Sequence, residues 1–313
     1  MTDKPRSADE IIRDLRDSPD AYREAARKEG SVWGTMFSNP DFLAVREDEQ
    51  AAANALGLNR NVAGLPAMLT RAGLKPRSGL SLGCGSGRAE RFFLKGHMCE
   101  RFMGVDVAPE AVAEAQAHAD REGLPLRYVC QDLNALDLGD EHFDLIVCQT
   151  ILHHVLQLEH VLDAVERALA PDGVFYVHDY IGETQFQFSD ARLHWYNEAL
   201  KALPEPLRTS RINGKVISKV TRPQPGALVS PFEAIRSGEI RAMLLERFEV
   251  VERHERTTIL DRVVPMGTRR GYLRDENTRA IFDLLMLLDQ ALLEGNVLPP
   301  VEGRYLLRRK RPG

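Results

Sequence analysis

The stretch Leu80-Ser-Leu-Gly-Cys-Gly-Ser-Gly-Arg88, with Asp106 downstream of it, decides the fold class of this 313-residue chain. It reads as a strand that runs into a glycine turn and opens a helix. Gly83, Gly85 and Gly87 stand at alternate positions, where a backbone free to take positive φ can approach a ligand closely. A dinucleotide fingerprint needs G-x-G-x-x-G, whose third glycine permits close helix–strand packing beside a pyrophosphate. That third position falls on Arg88 when counted from Gly83 and on Glu90 when counted from Gly85. The spacing therefore suits a ligand without a pyrophosphate, held by backbone groups, with a ribose diol taken by a carboxylate at the end of the next strand.

Working outward, apolar runs and helical periods alternate. Strands are expected at 80–83, 101–106, 126–130, 143–148 and 173–179, with helices at 87–95, 109–122 and 159–169 between them. This βαβα order implies an α/β domain with a doubly wound parallel sheet. Before it lies a helical cap, 1–75, in which Ser7-Ala-Asp-Glu10 has capping-box spacing and residues 41–57 and 61–73 have helical spacing. Residues 181–232 read as an insertion, opened by a helix from Ser189 or Asp190 with Leu193, Tyr196, Leu200 and Leu203 on one face. Ser230-Pro-Phe-Glu233 has capping-box spacing, and the core resumes over 233–313 with a helix at 238–247, a strand at 248–255 and a last strand at 304–309. Ile281, Leu284, Leu285, Leu288 and Leu292 mark an amphipathic attachment at about 275–295, stopped at Gly295 and suited to a dimer face or to a substrate roof.

Six ordered blocks carry a resemblance. Gly83-Cys-Gly-Ser-Gly87, Gly104-Val-Asp-Val107, Cys130-Gln-Asp-Leu133, Phe143-Asp-Leu-Ile-Val-Cys148, Ile151-Leu-His-His-Val155 and Leu169-Ala-Pro-Asp-Gly173 arrive in order across residues 78–181. Together they resemble the class I S-adenosylmethionine-dependent methyltransferases, in particular the small-molecule branch of methyltransferase type 11/12. The resemblance implies a Rossmann-like seven-stranded sheet, mostly parallel with an antiparallel last strand, S-adenosylmethionine as cofactor, and a core spanning 76–180 and 233–313. One position departs from the pattern. The family carries Asp or Glu two residues before the first glycine, whereas this chain has Ser81, whose hydroxyl accepts a hydrogen bond but brings no charge to the methionine ammonium.

On that resemblance Ser81, Gly83, Cys84, Gly85 and Gly87 form the cradle, and Asp106 with Val107 takes the ribose. Asp132 and Leu133 face the adenine, while Gln149 and Thr150 line the methionine end. Asp106 also has the place of a cap for the helix at Pro109. Methyl transfer to an alcohol or an ammonium needs orientation, exclusion of water and removal of a proton. Histidine, with an unperturbed pKa of roughly 6.5, can take that proton. The candidates for catalysis are His154, ahead of His153, then His178 and Tyr180; in relatives one such ring also serves to fix a loop. Phe186, Trp195 and Tyr196 would line the acceptor. Residues 206–232 hold Arg208, Arg211, Lys215, Lys219 and Arg222 without an acid, so Arg208 and Arg211 are expected either to meet an anionic acceptor or to pair with acids such as Glu47-Asp-Glu49.

Composition bounds the partners. A net charge of −5 argues against general nucleic-acid binding, and the run Arg308-Arg-Lys-Arg311 reads as a solvated tail. No apolar run of about 18 residues and no apolar signal core occurs, so the expectation is a cytoplasmic protein without a membrane segment. Four scattered cysteines imply no disulfide framework. His97 and Cys99 lack a second ligand pair, so no metal is expected. The reading is an O-methyltransferase of sugar or natural-product metabolism; an N- or C-methyltransferase and a non-catalytic cofactor-binding module are the alternatives.

Overall fold

The computed structural model describes residues 6–37, 39–58 and 64–310. The chain begins with four helices, α1 Ala8–Asp17, α2 Pro19–Phe37, α3 Pro40–Leu56 and α4 Leu65–Arg71. The alternating core follows with β1 Ser78–Leu82, α5 Arg88–Lys95, β2 Arg101–Asp106, α6 Pro109–Glu122, β3 Leu126–Cys130, β4 Phe143–Gln149, α7 Leu158–Ala168 and β5 Leu169–Tyr180. Then come α8 Asp190–Ala202, α9 Ser237–Arg247, β6 Phe248–Arg256, α10 Leu260–Val263, α11 Glu276–Glu294 and β7 Glu302–Arg309. The seven strands form one sheet in the order β3-β2-β1-β4-β5-β7-β6. The pairs among β1 to β5 are parallel, and β7 runs antiparallel to both its neighbours.

The order reverses between β1 and β4, and at such a switch point the carboxyl ends of an open sheet leave a crevice. The central strands are covered on both faces: all five residues of β1, Ser78-Gly-Leu-Ser-Leu82, are buried. One face of the sheet packs Leu80, Val105, Ile146 and Phe175 against Leu158, Leu162, Ile240 and Leu244 of α7 and α9. The other packs Leu145, Val147, Phe102 and Tyr128 against Met68, Phe93 and Ala115 of α4, α5 and α6.

A separate apolar core joins two stretches far apart in sequence. Phe188, Tyr196, Leu200 and Leu207 of the insertion after β5 pack against Ile259, Val263, Tyr272, Phe282 and Leu285 from the segment between β6 and β7. Inside this core α11 buries Phe282, Leu285 and Leu292, while Leu284 and Leu287 face solvent.

Several expectations need adjustment. The box at Ser7 forms as expected, with Ser7 and Glu10 exchanging bonds. The one at Ser230 does not: residues 231–236 form irregular turns, Ala234 has φ +50°, and the next helix starts only at Ser237. There the Glu233 carboxylate has left the backbone for a pair of histidines. The strand expected at 173–179 begins earlier, at Leu169. Of the expected helix at 61–73, positions 61–63 lie outside the described residues, as does Arg311 of the basic run.

Candidate functional site

The glycine turn is built by close approach. Gly83 has φ +70°, and a Cβ there would stand 2.4 Å from Cγ1 of Ile151, so glycine lets the loop after β4 lie against the turn. Gly87 has φ +71° at the start of α5, where a Cβ would meet the Tyr128 hydroxyl at 2.2 Å. The Gly83 and Cys84 amides donate to the Val105 carbonyl at 2.8 and 3.0 Å. The Gly85 amide donates to Asp106 Oδ2 at 2.8 Å, and the Ala108 amide to Oδ1 at 3.0 Å. Burial raises the pKa of Asp106 against the effect of these bonds. Each oxygen keeps an acceptor position beyond its one backbone partner, and a Cβ at Gly85 would meet nothing within 4 Å. The turn thus borders open space beside an incompletely bonded carboxylate, which fits a ribose diol. Behind it, Glu90 of α5 is buried near Ser81 with neither carboxylate oxygen in a formed hydrogen bond. Its pKa is raised by desolvation, with Ser81 opposing that shift.

Asp132 is engaged more fully than its expected role requires. It accepts from the hydroxyl of Tyr22 in α2 and from Asn134, through the backbone amide at 2.9 Å and the side-chain amide at 3.1 Å. Burial first, then the bond and charge of Asp132, push the Tyr22 hydroxyl pKa well up. Helix α2 therefore lies at the end of β3, beside buried Leu133. The expected methionine end is shaped by Thr150, which takes φ +56° while its amide donates to the His178 carbonyl at 2.7 Å. Gln149 pairs in register with His178.

Beyond Thr150, a single turn of 3₁₀ helix, Leu152–His154, projects two imidazoles side by side, with ring centroids 4.1 Å apart. His153 Nδ1 is 2.5 Å from Asp179 Oδ1. The same carboxylate accepts from the amides of Ile151 at 2.9 Å, Leu152 at 2.7 Å and Tyr180 at 2.8 Å. Burial alone would lower the pKa of His153, yet the charge and hydrogen bond of Asp179, with Glu233 and Glu29 behind them, leave it raised. Burial would likewise raise Asp179, and His153 with two backbone amides leaves it lowered. His154 Nδ1 lies 2.9 Å from Glu29 Oε1 of α2. Glu29 is held by the Trp33 indole at 2.6 Å and the Phe232 amide at 3.2 Å, and Trp33 meets the His154 ring edge-on at 5.0 Å. Glu233 completes the group, 3.8 Å from Nε2 of each histidine.

The other candidates lie elsewhere. His178 is one residue from Asp179 on the same strand, and successive strand side chains point to opposite faces. Its Nε2 meets Glu302 at 2.8 Å, which is itself paired with Arg256, so the ring takes part in the β5–β7 contact. Tyr180 stands edge-on to His153 at 6.4 Å, its buried hydroxyl without a partner. Phe186 packs on Tyr180 at 5.2 Å and lies under Arg262. Tyr196 is fully buried and donates to Asp261 at 2.9 Å, and Trp195 packs on the same core, so both do packing work away from the histidines. Arg208 donates to the carbonyls of Leu203 at 3.1 Å and Ile217 at 3.3 Å. Arg211 lies 3.6 Å from Asp48 of α3, and Arg222 pairs with Asp190. These three arginines tie the insertion to itself and to α3, the structural alternative to anion binding.

Residue reading missed Asp179, Glu29, Trp33, Glu233 and Tyr22. Strand alternation in His178-Asp-Tyr180 was a usable signal for Asp179. Glu29 and Glu233 carried none, because they reach the histidines only through folding.

Comparison with known proteins agrees with the geometry. Residues 80–177 match the family model described as a methyltransferase domain. The ubiquinone biosynthesis O-methyltransferase of Methylobacterium sp. (strain 4-46) is 31% identical over 107 residues, 33% of this chain and 42% of that protein. The enzyme of the same name from Coxiella burnetii (strain Dugway 5J108-111) is 29% identical over 100 residues, 32% and 42% of the two chains. The chain thus spans less than half the length of these curated relatives. Among solved structures, the DhpI–SAH complex superposes with a TM-score of 0.38 at 27% identity, covering 50% of this chain and 70% of that one. The plantazolicin methyltransferase BpumL in complex with SAH superposes with a TM-score of 0.45 at 13% identity, covering 97% and 99%. The match over residues 80–177 is to a methyltransferase domain, which is what the ordered motifs imply.

Proposed function

We propose that the chain is an enzyme that transfers a methyl group from S-adenosylmethionine to a hydroxyl oxygen of a small molecule, a sugar or another natural product. The observation that carries this reading is the Asp179–His153 pair, placed after β4 by Ile151, which itself lies against Gly83 of the cofactor turn. Asp106 and the amides of the turn would hold the ribose and methionine parts of the cofactor, and Leu133 the adenine. When bound, the cofactor supplies an electrophilic methyl group on a sulfonium.

The protein's share is to orient the acceptor and to take its proton. Asp179 holds His153 through Nδ1 and stabilises the charged ring, which leaves Nε2 as the atom that accepts the hydroxyl proton. The geometry favours His153 over His154 for this task, since His154 is held from α2 by Glu29 and covered by Trp33. Tyr22 of helix α2 packs on Phe232, with ring centroids 5.7 Å apart, and this contact would keep water from that side of the histidines. Three carboxylates, Glu29, Asp179 and Glu233, surround the two imidazoles, which supports an uncharged acceptor over an anionic one. The arginines that suggested an anion are used within the protein.

The test is a panel of hydroxylated, amino and carboxylated acceptors incubated with S-adenosylmethionine, with products read by mass spectrometry and S-adenosylhomocysteine binding read by calorimetry. Methyl gain on hydroxylated acceptors is expected. Binding without turnover on any acceptor would leave a cofactor-binding module, and absence of binding would remove the cofactor assignment altogether.

A further inference from the structure

The histidine pair has a feature that proton transfer does not require. Both imidazoles have Nε2 near one carboxylate, and each has its other nitrogen close to a different buried acid. Nε2 of His153 lies 3.8 Å from Glu233 Oε1 and Nε2 of His154 lies 3.8 Å from Glu233 Oε2, while one donor atom from each of the three residues lies within 4.8 Å of the others. Behind the rings, Asp179 meets Nδ1 of His153 at 2.5 Å and Glu29 meets Nδ1 of His154 at 2.9 Å. Among the described residues, neither Nε2 atom nor the Glu233 carboxylate closes a hydrogen bond. The supporting acids, by contrast, are bonded throughout: Asp179 by three backbone amides, Glu29 by an indole and an amide.

We propose that His153, His154 and Glu233 form a binding site for a first-row divalent transition metal ion, which presents its open positions to the oxygen of the acceptor. Imidazole and carboxylate donors suit such ions, and two histidines with one carboxylate leave coordination positions free for a ligand. Histidines that bind metals almost always give their second nitrogen to a carboxylate or carbonyl, which fixes the ring and raises its basicity. Here His153 does so to Asp179 of β5, and Glu29 of α2 lies 2.9 Å from Nδ1 of His154 without a formed hydrogen bond. With bonds of about 2.1 Å, adjacent ligand atoms around such an ion lie about 3.0–3.4 Å apart. The observed 3.8 Å contacts run to the two different oxygens of Glu233, and one donor atom from each residue lies within 4.8 Å of the others, so the set has to close by up to about 1.5 Å around an ion. Glu233 belongs to the turn segment 231–236, whose failed capping box frees its side chain for this purpose.

The inference rests on the methyl-transfer reading of this pocket and replaces one part of it: an ion on Nε2 of His153 takes the lone pair that reading gives to the acceptor's proton, and the ion would polarise the acceptor hydroxyl instead, so the two are read out separately. The full chain is stripped with EDTA, dialysed, and titrated by calorimetry with zinc chloride, cobalt chloride and magnesium chloride, and cobalt is followed by its visible absorption. One equivalent of zinc or cobalt is expected to bind at least 100-fold more tightly than magnesium. Glu233→Gln should weaken zinc and cobalt at least 100-fold, and Glu29→Gln should weaken them about 10–100-fold as the loss of an outer-shell partner. Both variants should keep the parent's affinity for S-adenosylhomocysteine, which also shows that they are folded. His154→Gln provides an independent ligand deletion with the same expected loss. Absence of saturable zinc and cobalt binding would overturn the site, as would binding that is unchanged in both Glu233→Gln and His154→Gln. In either case S-adenosylhomocysteine binding by the parent would leave the methyltransferase reading standing, and its loss would not.

Discussion

Asp179→Asn tests the centre of the pocket, because one buried carboxylate there both shapes a loop and polarises a ring. The wild-type oxygens accept four bonds, two on Oδ2 from Ile151 and Leu152 and two on Oδ1 from His153 and Tyr180. An asparagine keeps one oxygen, so its amide group must face two donors whichever way it turns. His153 also loses its counter-charge. Breaking a buried pair from one side costs about 3–5 kcal/mol, most of it the penalty of the group left behind. Part of this cost depends on pH, with a sign that follows from the two shifts. The folded pKa of His153 is raised, so its contribution is complete below the unfolded value of about 6.5 and fades as pH rises through the folded value. The folded pKa of Asp179 is lowered, so its contribution is complete above the unfolded value of about 3.9 and is lost as pH falls through the folded value. Urea unfolding of parent and variant in EDTA should therefore give a larger stability gap at pH 5.5 than at pH 8.5. A gap of under about 1 kcal/mol, or one that grows toward alkaline pH, would refute the assignment of a charged Asp179–His153 pair.

The remaining outcomes follow from the same geometry. Asp106→Ala should weaken S-adenosylhomocysteine by about 1.5–3 kcal/mol in calorimetry, as expected for bonds to a charged group, and unchanged affinity would remove it from the ribose site. His153→Ala should cost about 10²–10⁴ in kcat, whereas His178→Ala, which disturbs only the pairing with Glu302, should change kcat less than threefold; a reversed order would restore His178 to the chemistry. Arg211→Ala breaks a largely exposed pair with Asp48, so unfolding should show little or no loss of stability, with no change in the acceptor's KM. A tenfold rise in KM would return this arginine to acceptor binding.

Legibility in the sequence tracked how local each cause is. The glycine turn, Asp106 at the end of β2 and the alternating strands were readable, because backbone freedom and the burial period act within a few residues. The boundaries of β2, α6 and β3 agree with the expected ones to the residue. The capping box at Ser7 formed between residues three apart in one turn of chain. The same spacing at Ser230 did not form a box, and Glu233 lies instead 3.8 Å from two imidazoles of another part of the chain. Tertiary structure alone decided which histidine is backed by Asp179, that Glu29 of an N-terminal helix supports the other, and that His178 faces away. It also decided that Arg208 and Arg211 serve the insertion, and that the segments after β5 and β6 share one apolar core. The physical reason is the same in each case. Backbone conformation and hydrophobic period are set by neighbours along the chain, whereas the protonation, partners and direction of a charged side chain are set by whatever packing brings within a few ångströms.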